Sequence, residues 1–152
     1  MGGFLSDLKN GFNRGNISLQ FIYINAGVFV ITTLVSVFLM LFNLGGMAWL
    51  EYLELPAYVP QLLSRPWTLF TYMFLHNGVL HLLFNMLWLY WFGQLFLSIF
   101  SARHLRGLYI LGGLCGGLLY MLAFNVFPYF QNHIYGSWLL GASASVLAVV
   151  VA

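Results

Sequence analysis

Two polar clusters sit inside otherwise apolar stretches of this sequence. HLLFN carries His81 and Asn85, and GASAS carries Ser143 and Ser145 among Gly141, Ala142 and Ala144. His81 and Asn85 stand at i and i+4, which places both on one face of a helix. Each is able to donate and accept hydrogen bonds. Two such donors on one helical face, opposite an alcohol, form the arrangement that acyl transfer requires, because they can meet the oxygen on which negative charge develops. The same residues also serve plainer ends: His and Asn as hydrogen-bonding glue between helices, Gly, Ala and Ser as small residues that let backbones approach. Either cluster alone leaves that choice open.

The solvent around these clusters follows from composition. Hydrophobic residues make up 62% of the chain and charged residues 5%, and the mean hydropathy is +0.91. A soluble domain carries about a quarter charged residues, so this chain is an integral membrane protein. A net charge of +2 spread along the chain gives no footprint for nucleic acid. The single cysteine, Cys115, excludes an internal disulfide framework. The opening MGGFLS fits a loose myristoylation pattern that a multi-span protein does not need. No cleavable signal peptide is evident.

A span needs about 20 mainly apolar residues. Four candidates follow: about 21–44, 79–100, 108–127, and a fourth that begins near Leu139 and is still running at Ala152. The connection 45–78 holds Glu51, Glu54, Arg65 and three prolines among apolar residues, which predicts short helices lying in the interface. Trp49, Tyr52, Tyr58 and Trp67 suit the headgroup level. Lys9 and Arg14 precede the first span, and Arg103 and Arg106 lie between the second and third. The positive-inside rule then makes the N-terminus and the 101–106 loop cytoplasmic. In that layout spans two and four both enter from outside, so His81 and Ser143 share a depth. A polar side chain facing lipid without a partner costs several kcal/mol, so these groups face the bundle interior or a watery pocket. GGLCGG supplies two overlapping GxxxG pairs, Gly112/Gly116 and Gly113/Gly117, read as a packing face on span three.

Together these motifs resemble the rhomboid family of intramembrane serine proteases. PWTLFTYMFLH followed by HLLFNMLWLYWFG is similar to that family's second-helix signature, and GAS at 141–143 to its Gly-x-Ser motif. The resemblance implies an all-α, polytopic, rhomboid-like helical bundle with spans one to four present and the fourth incomplete. It divides the chain into a cytoplasmic tail, 1–20, and a membrane domain, 21–152, incomplete at its C-terminus. It implies Ser143 as nucleophile, with its backbone N–H and the side chains of His81 and Asn85 as the oxyanion hole. His76 is expected to make a supporting hydrogen bond, and no role falls to His104 or His133. The activity implied is hydrolysis of a peptide bond in or near a transmembrane segment of another membrane protein, so the partners are that substrate and the lipid bilayer. A bacterial protein of this kind would sit in the plasma (inner) membrane.

A serine hydroxyl needs a base. The resemblance implies a histidine on a sixth core helix, a position that none of the four histidines here matches. The base is therefore expected beyond residue 152, and the 1–152 chain alone is expected to be inactive. The family pattern often has Arg after the loop tryptophan, Gly after the serine and, in some members, an aromatic residue four places on; here stand Thr68, Ala144 and Leu147. The alternative is a catalytically inactive rhomboid-like protein that binds or escorts membrane proteins. No cofactor is implied, and no metal site, since the histidines lack ligand spacing.

Overall fold

The computed structural model describes residues 16–152. The myristoylation-like opening, Lys9 and Arg14 lie outside that range. Among the described residues three helices are long and apolar enough to cross a membrane: α1 (Ile17–Leu41), α4 (Val79–Ile99) and α5 (Ala102–Val126). Between α1 and α4 the chain forms a 3₁₀ turn (Ala48–Tyr52), a two-residue strand β1 (Leu55–Pro56), and short helices α2 (Val59–Ser64) and α3 (Thr68–Thr71), the last continuing into a 3₁₀ turn (Tyr72–Phe74). After α5 come α6 (Pro128–Gln131), a 3₁₀ turn (Ile134–Gly136), strand β2 (Trp138–Leu139) and α7 (Ser143–Val151). The all-α polytopic bundle expected from the sequence is the observed fold, and its long connection is built of short helices as expected.

The first helix reverses the pattern of a soluble one. Of the five buried residues of α1, Ser18, Phe21, Asn25, Thr32 and Ser36, four are polar. Its exposed positions include Ile31, Leu34, Met40 and Leu41. In a hydrocarbon solvent apolar surface loses nothing by exposure, whereas each polar group needs an internal partner. Ser18 Oγ donates to the Leu89 carbonyl at 2.9 Å, lying against Gly93, where any Cβ would collide with it. Asn25 Nδ2 donates to Tyr109 Oη at 3.0 Å, Tyr109 Oη reaches the Met73 carbonyl at 3.4 Å, and Phe21 stacks on Tyr109 with ring centroids 4.1 Å apart. One polar chain thus joins α1, α5 and the turn before α4. Interhelical bonds of this kind average about 0.6 kcal/mol in membranes, so their effect is to set register more than to supply stability.

Three boundaries differ from expectation. α1 starts at Ile17 because Asn16 caps it, its side chain accepting from Leu19 N–H at 3.1 Å. α5 starts at Ala102, so Arg103 and Arg106 ride on its first turns rather than in a loop. The fourth helix starts at Ser143, not near Leu139. The apolar run at 138–139 is used as a strand, pairing antiparallel with β1 in the register Leu55↔Leu139 and Pro56↔Trp138. Ala57 N–H extends the pairing to the Ser137 carbonyl at 3.0 Å. A short apolar run satisfies either geometry, and here the partner strand decides.

α7 sits on the glycine face of α5. A Cβ on Gly112 would strike Ala148 Cβ, and one on Gly116 would strike Ala144 Cβ. At Gly113 it would lie 2.6 Å from Ser145 Oγ and 2.7 Å from Met73 Cε. At Gly117 it would lie 3.0 Å from Leu55 Cδ2, in β1. GGLCGG is therefore the close-packing face it was read as, and what packs there is the helix that begins with Ser143. Gly116→Ala should lower stability by about 1–3 kcal/mol, the range for overpacking a tight contact. Gly107→Ala, on the same helix with nothing within 4 Å, should be neutral or raise stability by up to about 1 kcal/mol. Unfolding of the two variants in detergent, compared with wild type, checks both.

Candidate active site at the head of the short helix

Chain direction carries His81 and Ser143 to one end of the bundle. α4 begins at Val79 and α7 at Ser143, while α1 and α5 end there. The β1–β2 pair ties the two connections together above them. His81 lies in the first turn of α4, half-buried, and Asn85 follows one turn below, buried. Ser143 is the first residue of α7 and is exposed, whereas Ser145 is buried. Ser145 Oγ faces Met73 Sδ at 4.0 Å, so this second serine packs against α5 and the 72–74 turn.

The point of convergence is Gly141. Its φ of +125° lies in a region that L side chains rarely adopt, and its N–H donates to the Tyr72 carbonyl at 2.9 Å. A Cβ built there would lie 2.8 Å from His81 Cε1, 3.0 Å from His81 Nε2 and 3.7 Å from Ser143 Oγ. The missing side chain is what lets the imidazole edge and the serine hydroxyl approach the same spot. Asn85 and Ser143 in turn line one cleft of about 250 Å³ between α4 and α7, continued by Trp88, Val146, Leu147 and Val150. Polar groups stand at its head and apolar ones below.

Donor roles follow from the hydrogen bonds. Asn77 N–H lies 3.5 Å from His81 Nδ1, and a ring nitrogen that accepts a backbone N–H leaves the proton on the other one. On that assignment Nε2 is a donor, turned toward Gly141 and Ser143, and is unable to take the serine's proton. Asn85 Nδ2 gives one hydrogen to the His81 carbonyl at 2.9 Å, and an amide nitrogen has a second. The first turn of α7 closes with Val146 N–H on the Ala142 carbonyl at 2.8 Å. The Ser143 N–H, ahead of that turn, has no intrahelical acceptor. Asn85 and Ser143 thus stand at the head of the cleft, and the His81 ring approaches Ser143 beside it, at Gly141.

Residues 63–152 match the family model described as the Rhomboid domain. The chain belongs to the rhomboid family. No curated protein and no solved structure matches it. The matched range runs from the last two residues of α2 through the whole of α7, so every residue of the cleft falls inside the rhomboid region.

His76 departs from expectation. Neither ring nitrogen has a hydrogen-bond partner, although the residue is only 8% exposed. In place of the supporting hydrogen bond it makes an edge contact with His81, ring centroids 5.1 Å apart. The turn at 75–78 directs the ring into a neighbouring cavity, where no polar group comes within hydrogen-bond distance of it. His104 bonds Ser101 Oγ at 2.9 Å, in the turn between α4 and α5 at the other end of the bundle. His133 is exposed ahead of β2. In the sequence Gly141 stood as a small packing residue and as the glycine of the Gly-x-Ser motif, with no contact to His81 expected, and Tyr72 and Asn77 had no part. The Gly-x-Ser spacing was the available signal for the first; nothing local marks the other two.

Burial, and next the charge of His81, push the His76 imidazole down to about 4 from 6.5; the neighbouring Phe74 backbone opposes this least of the three, without reaching hydrogen-bond geometry. The unfolded chain therefore takes up this proton first, and the stability His76 contributes is complete above pH 6.5 and lost as pH falls toward about 4. Glu54, which lines the same cavity, acts in the opposite sense. Burial, then Glu51, raises its carboxyl, so its contribution is present at low pH and lost as pH rises through that raised value. Between pH 6.5 and 4 the wild-type unfolding midpoint should fall more steeply than that of His76→Gln. Parallel curves would contradict a buried neutral imidazole at this position.

Proposed function

We propose that the protein is an intramembrane serine endopeptidase that hydrolyses a peptide bond in or near a transmembrane segment of another membrane protein. The observation that carries this reading is the convergence of Ser143 Oγ and the His81 ring on the side-chain-free face of Gly141, with Asn85 in the same cleft. Ser143 Oγ attacks the scissile carbonyl carbon. The carbonyl oxygen gains the negative charge and is met by His81 Nε2–H, the second Asn85 Nδ2 hydrogen and the Ser143 N–H. That N–H also lies at the positive end of α7, which favours an anion. The serine's proton passes to a base, and the leaving amine takes a proton as the acyl-enzyme forms; water then releases the acyl group. His81 is occupied as a donor, and His76 meets the ring of His81 rather than Ser143, so the base in this reading is a histidine outside residues 1–152. The orientation proposed places the N-terminus in the cytoplasm and the cleft mouth on the opposite side.

A second reading, an inactive relative that binds or escorts membrane proteins, is favoured by that same lack of a base beside Ser143 among the described residues. One experiment separates the two. The protein made from its whole gene, reconstituted in vesicles, should be labelled by a fluorophosphonate, and Ser143→Ala should abolish the label. An unlabelled, folded wild type gives the second reading. In the protease, His81→Ala and Asn85→Ala should each lower kcat on a transmembrane substrate by about 10²–10³, the loss typical of one oxyanion donor.

A further inference from the structure

Beside the cleft lies a separate, partly open cavity of about 350 Å³, bounded by Thr32 of α1, the connection 45–78 and the segment 138–140, with Glu51 on its exposed rim. Glu51, Glu54 and His76 line it, together with Leu50, Trp138 and Leu140. Two contacts place it next to the candidate active site: Leu140 directly precedes Gly141, and His76 touches the ring of His81.

The charges in this cavity are unbalanced. Glu51 and Glu54 are close enough for one to raise the other's carboxyl, and among the described residues neither pairs with a cation. Arg65, the basic residue of this connection, pairs with neither carboxylate: it bonds the Glu51 backbone carbonyl at 3.3 Å and lies over the Tyr52 ring at 4.1 Å. His76, more than nine-tenths buried and lacking a hydrogen-bond partner at either nitrogen, faces the same space. A neutral imidazole keeps one acceptor lone pair. Two carboxylates and one imidazole acceptor, with Trp138, Leu50 and Leu140 as apolar walls, match a cationic group on an apolar stem. A guanidinium, with five donors in a planar fork, meets carboxylates and a ring nitrogen together and stacks on indole. Among the described residues no three His, Cys, Asp or Glu side chains gather closely enough to hold a metal ion, which favours an organic cation.

We propose that this cavity is a specificity subsite for a basic side chain, arginine above lysine, of the membrane-protein substrate, borne near the scissile bond at the loop end of the transmembrane segment. The inference rests on the endopeptidase reading for its substrate, and its test separates the two. A long basic stem reaches out of the hydrocarbon to carry its charge at the interface, and on the outer side, where such flanks are the less common, a site that captures one is selective. An acidic cavity at the mouth of the cleft would set cleavage register by capturing one such residue.

The test uses the protein from its whole gene in phosphatidylglycerol vesicles. A transmembrane peptide carries a single arginine stepped through the loop end of its apolar segment, and a matched series carries citrulline, the neutral isostere. At one position wild type should favour arginine by about tenfold in kcat/KM. In Glu51→Gln/Glu54→Gln that ratio should fall to near unity. Glu54→Lys should shift the preference to a peptide with glutamate at that position, a gain that misfolding could not produce. Equal cleavage of both series by wild type overturns the subsite, as does a preference that survives the double substitution. Binding of the same peptides to Ser143→Ala supplies the measurement independent of chemistry. If wild type cleaves nothing while Ser143→Ala still binds the arginine peptide in a Glu54-dependent way, the subsite stands and the protease reading falls. If binding shows no such dependence, the subsite falls whatever the cleavage result. Glu54-dependent retention of phosphatidylethanolamine, with no arginine preference, would give the cavity to a lipid headgroup and also overturn it.

Discussion

The glycine face of α5 sets how deep Ser143 stands. Gly112 and Gly116 receive Ala148 and Ala144 of α7 so closely that a methyl group on either glycine has no room. Lipid offers no hydrophobic drive for two apolar helices to associate, so contact distance and shape must hold them. Because α7 seats at this face, its first residue lies level with the first turn of α4, and the strand leading into it lies under β1. The candidate site is thus positioned by van der Waals contact between backbones, with few polar bonds involved.

Gly141 then governs what meets at that level. Its positive φ turns the chain from β2 into α7, and its bare α-carbon leaves the space that the imidazole of His81 occupies. Any side chain there would be strained by the backbone and would part the histidine from the serine. The hydrogen bond from Gly141 N–H to the Tyr72 carbonyl ties this turn to the segment leading into α4. The two neighbouring hollows differ in kind: the cleft of Ser143 and Asn85 is apolar below its polar head, while the cavity of Glu51, Glu54 and His76 gathers charge and an imidazole without partners.

The polar residues of α1 illustrate how far pattern reading extends in a membrane. Ser18, Asn25 and Thr32 recur every seventh residue and are buried, a periodicity open to inspection before any coordinates. Their partners were not. Ser18 finds a backbone carbonyl of α4, and Asn25 finds a tyrosine of α5. Which helix lies against which polar stripe depends on packing contacts distant along the chain.

The sequence by itself determined the solvent, the three long spans, the packing role of GGLCGG, and the shared depth of His81 and Ser143, because each follows from composition or from helical geometry within one segment. The rhomboid likeness was legible for the same reason, being carried by short contiguous motifs. Tertiary structure alone decided the rest. The run at 138–139 became a strand because Leu55 and Pro56 lie opposite it. His76 lost its expected hydrogen bond because the turn before α4 aims it into a cavity. Glu51 and Glu54, which read in sequence as ordinary loop charges, became an unpaired acidic lining once Arg65 was drawn onto Tyr52. These outcomes depend on contacts between segments far apart in the chain, and local propensity carries no information about which distant surface a residue will meet.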